Sequence, residues 1–219
     1  MHTLLWQAAV SGGFNPLALG PSLLLDFKSG GFTTEAGDRI TQWDDRSGNG
    51  NHATAASGSA ARPTLGANGV EFDGTNWLLS SPLTQTQPTT VVLVSAGSTT
   101  GYIFSETTGS AGGLYLAISD VYSVGSPNVV VPETHADPFI LMRVNTGTQT
   151  IIRMTGTEYP PEDQVIPSFS GVCLGKRYAL DNNYVTTTLM HASIFPAALS
   201  APQRQEMERW LANRYGVSL

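Results

Sequence analysis

Short runs rich in Val, Ile, Thr and aromatic residues, each cut off by Gly, Pro or Asn, recur along nearly the whole 219-residue chain. No helical period separates one run from the next. The runs are Leu23–Asp26, Ile40–Asp45, Val70–Gly74, Trp77–Leu79, Thr90–Val94, Tyr102–Ser105, Leu114–Ser119, Phe139–Val144, Thr150–Met154, Val172–Leu174 and Thr187–Phe195. Each is long enough for one strand and too short for a stable helix. The 23 glycines and 13 prolines between them supply turns. Parallel sheets need crossover helices, and none is legible here. The expected class is therefore all-β, a two-sheet antiparallel jelly-roll sandwich closed by one C-terminal α-helix.

That helix is the exception to the pattern. Ser200 reads as its N-cap, Pro202 as a tolerated first-turn proline, and Gln203 as the third member of a capping box. Met207, Trp210, Leu211 and Tyr215 then form one apolar stripe, and Gly216 suits the stop. Residues 1–16 read as an N-terminal arm. Leu4, Leu5 and Trp6 are apolar, but Ser11-Gly12-Gly13 and Asn15-Pro16 break the segment before the sandwich domain of residues 17–219 begins. Apolar side chains ahead of such a hinge suit insertion into a partner protein or a fold back onto the domain.

Charge narrows the function classes. With 17 acidic and 11 basic residues the net charge is −6, and no Lys/Arg cluster reverses it locally. Nucleic-acid binding is not expected of such a surface. Met1–Gly13 lacks the basic region of a signal peptide, and no stretch is long and apolar enough to span a bilayer. Cys173 is the single cysteine, set in the apolar run Gly171–Leu174, and reads as a buried thiol rather than a nucleophile. Folding in a reducing cytoplasm follows as the simplest expectation.

Three ordered segments carry a resemblance. Trp43-Asp44-Asp45-Arg46-Ser47-Gly48-Asn49-Gly50-Asn51-His52-Ala53, then Gly69–Gly74, then Leu189–Phe195 with Ala198-Leu199-Ser200 and the ending Trp210–Gly216, resemble the laminin-G-like branch of the concanavalin A-like lectin/glucanase superfamily. Phe14–Leu19 and Pro21–Asp26 are similar to the opening of those members found in tailed-bacteriophage virions. The resemblance implies a non-enzymatic structural or adhesion module of a phage particle, as head decoration, fibre or adhesin. Its implied partners are capsid or tail subunits, met through the Leu4, Leu5, Trp6 arm, and cell-surface glycans, with homo-oligomerisation compatible. The implied location is the virion, after folding in the host cytoplasm. A carbohydrate-binding lectin module is the alternative, and a divergent glycoside hydrolase the second.

The residues themselves weigh on these alternatives. A glucanase of this superfamily resembles a strand carrying E-x-D-x-x-E. Glu71 and Asp73 match its first two carboxylates, but Gly74, Thr75, Asn76 and Trp77 follow, so the third is missing. No G-x-S-x-G nucleophile elbow occurs, and His2, His52, His135 and His191 lack metal-ligand spacing. No catalytic residue is therefore expected. Trp43 and Trp77 are the candidates for stacking on a sugar, with burial in the core as the competing reading. No cofactor is expected. Some relatives bind calcium through rim loops, and the residues for it here would be Asp44, Asp45, Asn49 and Asn51, or Asp181, Asn182 and Asn183. Asx side chains capping their own turns are the competing reading.

Overall fold

The computed structural model describes residues 13–55, 62–80, 83–97, 99–107, 113–116, 120–125, 127–132, 137–178 and 183–219. The Leu4, Leu5, Trp6 arm lies outside them. The chain is mostly β, a large antiparallel sheet with one C-terminal α-helix among the described residues.

Its centre is a block of long strands. Leu23–Asp26 pairs with Thr186–Phe195, which pairs with Thr89–Ala96, then Phe139–Asn145, then Gln149–Met154, all antiparallel. Register aligns Leu25, Ala192, Leu93, Leu141 and Met154 in one row across these five strands. All five belong to the main core. The next row, Ser193, Val92, Met142 and Arg153, points the other way by the two-residue period of a strand. There Val92 and Met142 meet Met207, Trp210, Leu211, Ala212 and Tyr215 of the helix. A sheet covered on both faces needs apolar residues at every position, not every second one. That is why Thr-Thr-Val-Val-Leu-Val-Ser and Phe-Ile-Leu-Met-Arg-Val-Asn are buried throughout.

A second ladder also contributes side chains to the main core. Its order is Val129–Pro132, Asp120–Ser123, Leu114–Leu116, Gly101–Glu106, Val172–Leu174, Leu78–Ser80, Ala53–Ala55, Arg39–Trp43 and Phe32–Glu35. Thr64–Leu65 and Val70–Asp73 link this ladder to Thr186–Phe195. The strand expected over Ile40–Asp45 ends at Trp43, and Asp44 and Asp45 belong to the following loop. Phe32–Glu35, Asp120–Ser123 and Val129–Pro132 are strands that the sequence pattern did not predict. They are short and stop against Gly or Pro, so no alternation develops.

The helix spans Ala201–Tyr215, with the expected Ser200 cap and Gln203 capping box, and stops at Gly216 in the left-handed region. Tyr215 and Arg214 hold its end to the buried Asp26, through Tyr215 Oη to Asp26 Oδ1 (2.5 Å) and Arg214 Nε to the same oxygen (3.0 Å). Arg153 binds Glu208 at 2.5 Å and Arg204 binds Glu158 at 2.6 Å along its flank. Phe14 packs on Trp210 with ring centroids 6.3 Å apart, so packing begins just ahead of Leu17.

A charged pair lies within the core. Arg143 stands in the row Ile194, Val91, Arg143, Ile152. Its Nη2 donates to Glu106 Oε1 at 2.9 Å on the facing ladder, and both side chains are fully buried. Burial pushes the Glu106 carboxyl up to about 7 against the pull of Arg143.

Two stability outcomes follow. Trp210→Ala should cost about 3–5 kcal/mol by lost burial and the cavity left, read as a lower denaturant midpoint. Glu106→Ala should cost about 3–5 kcal/mol, because it strands a buried guanidinium. Replacing both partners, as Glu106→Met with Arg143→Met, should cost much less in the same titration.

Candidate functional site

The loop from Asp44 to His52 is closed upon itself and upon the first strand. Asp45 is buried, and its Oδ1 accepts from Leu24 N (2.9 Å) and Ser47 N (2.8 Å). Its Oδ2 accepts from Ser47 Oγ (2.7 Å) and Asn51 N (2.9 Å). Asn49 and Asn51 turn their amide nitrogens inward, to Pro21 O (3.0 Å) and Ser22 O (2.8 Å). Asp44 Oδ1 accepts from Gln42 at 2.8 Å. Calcium needs six to eight converging oxygens. Here the best carboxylate is already saturated by donors and the two amides present nitrogen, so this set does not fit the ion. Asp181 and Asn182 lie outside the described residues. The loop is a structural staple, and Gly48 (φ +91°) and Gly50 (φ +73°) hold backbone conformations that residues with a Cβ rarely adopt. Gly48→Val should lower the melting temperature, since strain of this kind costs about 1–3 kcal/mol.

Among the described residues, the side chains of catalytic type fall into an exposed pair and a buried group. Glu71 and Asp73 share the exposed face of their strand, and Asp73 Oδ1 caps Thr75 N at 2.9 Å and its hydroxyl at 2.6 Å. His191 Nε2 lies 3.0 Å from Ser193 Oγ, and Asp26 is the register partner of His191. All three side chains are fully buried, beneath Trp210 and Tyr215. Burial pushes His191 down to about 4, leaving a neutral ring with little basicity at neutral pH. Cys173 is equally buried and its thiol is pushed up to about 12.

The tryptophans divide. Trp43 is fully buried and packs on Phe32 with centroids 5.5 Å apart, so it offers no face to a sugar. The reason is its strand position, whose side chain enters the main core. Trp77 is half-buried, and Lys176 Nζ sits over its ring at 4.3 Å.

Elsewhere, among the described residues, Tyr102, Tyr115, Val124, Asn128, Arg177 and Asn183 line an open cleft of about 390 Å³. Tyr102 and Tyr115 are direct cross-strand partners, with ring centroids 5.0 Å apart in edge-to-face contact. Tyr102 is buried and Tyr115 half-buried, so Tyr102 supports the ring that the cleft presents. Glycines make the space. A Cβ at Gly113 would lie 2.6 Å from Tyr102 Cε1, and one at Gly101 would strike the Tyr184 carbonyl. Gln164, buried, donates to Ser123 O (2.8 Å) and Pro127 O (2.7 Å), pinning the turn that carries Val124 and Asn128. Asn128 Oδ1 accepts from Gly125 N at 3.1 Å, which directs its amide nitrogen away from that contact. The Asn183 carbonyl accepts from Arg177 N (3.2 Å) and Tyr102 N (3.4 Å), and Arg177 Cζ lies 5.5 Å from the Tyr102 ring centre. Chemically, this is an aromatic face rimmed by amides, phenols and one guanidinium.

Sequence reasoning missed Tyr102, Tyr115, Asn128 and Arg177, and named Asn183 only as a calcium candidate. Tyr102 and Tyr115 stand thirteen positions apart on separate strands. Only the pairing of those strands, which composition does not give, makes them neighbours.

No protein-family model matches the sequence, and no curated protein does. Solved structures do match. A GH54 α-L-arabinofuranosidase soaked with a cyclic sulfate inhibitor aligns with TM-score 0.64 at 13% identity, over 81% of this chain and 51% of that one. The receptor-binding domain of botulinum neurotoxin mosaic serotype C/D aligns with TM-score 0.61 at 10% identity, over 88% and 51%. The binding domain of botulinum neurotoxin DC in complex with SialylT aligns with TM-score 0.62 at 7% identity, over 88% and 52%. The chain thus spans about half the length of these structures, and at such identities the likeness is one of fold, a β-sandwich.

Proposed function

We propose that the two ladders are the leaves of a concanavalin A-like jelly roll, and that the domain is a non-enzymatic carbohydrate-binding module. The cleft at Tyr115 is its recognition site. The observation that carries this reading is the Tyr102–Tyr115 pair, which sets a supported aromatic face in an open cleft rimmed by Asn128, Asn183 and Arg177. Sugars present C–H faces to such a ring and hydroxyls to such a rim. Aromatic packing with a few placed polar groups is the usual construction of a small-ligand site. The fold neighbours give further support, since one is a glycosidase and another is a binding domain in complex with SialylT. The absence of hydrolysis is part of the proposal. Glu71 and Asp73 have no third carboxylate beside them in the strand, and the His191–Ser193 contact is sealed beneath the helix.

Screening the full chain against an oligosaccharide array should find at least one ligand. Tyr115→Ala should weaken that ligand at least tenfold while the melting temperature changes little, because Tyr115 is only half-buried. Unaltered affinity in this variant would remove the cleft from the proposal. No reducing sugar should be released from any bound glycan.

A further inference from the structure

The last turns of the helix rest on a buried histidine. His191 and Asp26 are fully buried register partners on adjacent strands. Trp210 and Tyr215 cover the imidazole, with ring centroids 6.0 and 6.3 Å from its own. His191 Nε2 contacts Ser193 Oγ at 3.0 Å, and Nδ1 has no hydrogen-bond partner. Asp26 accepts from Arg214 Nη2 at 2.8 Å and from Ser29 Oγ at 2.6 Å, and Tyr215 Oη lies 2.5 Å from its other oxygen. Lys28 Nζ donates to the Arg214 carbonyl. On the strand at its other side His191 faces Val94. Among the described residues, the charged or titratable groups set around the imidazole are thus Asp26, Lys28, Arg214 and Tyr215. A protonated imidazole carries two N–H donors, and here the one on Nδ1 would meet no acceptor. Strands flank the ring on two sides, so lifting the helix end is the shortest way to admit water.

We propose that the C-terminal helix is an acid-released latch. Protonation of His191 lifts its last turns from the sheet while the main core stays folded, uncovering Val92, Val94, Ile140, Met142 and Met190. This device is separate from the glycan reading and does not rest on it. Burial, opposed by Asp26 and reinforced by Arg214, holds the imidazole down at about 4, against an ordinary value of 6.5. The seat therefore keeps its full stability above pH 6.5 and loses it as pH falls from 6.5 towards 4. The other buried or paired carboxyls do not give way in that interval. Burial pushes Asp26 up, but His191, Arg214, Ser29 and Tyr215 more than reverse this and hold it below the usual carboxylate range. Glu158, held low by its bond to Arg204, keeps the first turns of the helix tied above pH 4.5. Glu106, raised to about 7 by burial, binds its proton sooner in the folded state than in the unfolded one. Between pH 7 and 4.5 acid thus favours the main core while it loosens the helix end.

Hydrogen exchange of the full chain, read by mass spectrometry and corrected for its intrinsic pH dependence, tests the latch. The opening constant of peptides between Met207 and Val217 should rise about twentyfold from pH 6 to pH 4.5, as release linked to one proton requires. Peptides from Thr89–Ala96 and Phe139–Asn145 should keep their protection over the same range. His191→Gln, which cannot take up the proton, should flatten the rise. If that variant does not fold, the wild-type imidazole signal followed by NMR serves instead, and it should titrate in the interval where the helix loses protection. Helix and sheet losing protection together is ordinary acid unfolding and overturns the latch. A helix end that stays protected at pH 4.5, a rise that survives His191→Gln, or an imidazole that titrates beneath a protected helix overturns it equally.

Discussion

The whole molecule depends on three adjacent strands, Thr186–Phe195, Thr89–Ala96 and Phe139–Asn145, that are covered on both faces along most of their length. Sheets in most antiparallel sandwiches bury one face and wet the other. Here the outer face would expose Val92, Val94, Ile140, Met142 and Met190 if the helix were absent. That much contiguous apolar surface is not stable in water, so the helix is the fourth wall of the second core and not an ornament. Its polar anchors follow the same logic. Asp26 lies fully buried at the end of the first strand, where only donors can offset its desolvation, and Arg214 and Tyr215 provide them from the last turn of the helix. First strand and last helix are thereby tied together, 189 positions apart in sequence.

What the sequence made legible was the local chemistry. The alternating and continuous apolar runs located the long strands to within a residue or two, and the Ser200, Pro202, Gln203 and Gly216 pattern located the helix. These signals are local because they arise from backbone conformation and from the period of one element. The Asp45–Asn51 loop was legible for the same reason, as Asx side chains and glycines within seven positions bond to their own turn. Pairing order was not legible. Nothing in Gly101–Glu106 states that it lies between Leu114–Leu116 and Val172–Leu174. Trp77 is legible because tryptophan is conspicuous, whereas the nearness of Tyr102 to Tyr115 is a product of register. Trp43 was conspicuous in the same way and serves the core.

The buried Arg143 and Glu106 pair illustrates another limit. The run Phe139–Val144 reads as a strand, and nothing in its pattern gives Arg143 a partner. Its row neighbours Val91 and Ile152 are core residues, and the charge is tolerated only because Glu106 faces it from the other ladder. Such a pair adds little stability over an apolar filling of the same volume, but it penalises any register that separates its members. In a core whose rows are otherwise almost wholly apolar, an ionic contact between Arg143 and Glu106 distinguishes one alignment of the strands from its neighbours.

The cleft sits where that alignment matters most. Glu106 ends the strand that Gly101 and Tyr102 begin, and the pairing of that strand with Leu114–Leu116 shifts register between Tyr102 and Phe104. The opposite wall is set by Gln164, whose amide closes the Ser123–Asn128 turn from the side of Gln149–Met154 through the Gln164 N to Thr148 O bond of 3.0 Å. Each wall of the site is thus held by a buried polar group that reaches from the central block into the outer ladder. A binding surface carried on short outer strands would deform easily if those strands were held only by their neighbours. Because Arg143 and Gln164 brace it from beneath, the backbone under the half-exposed Tyr115 stays fixed, as the proposed recognition site requires.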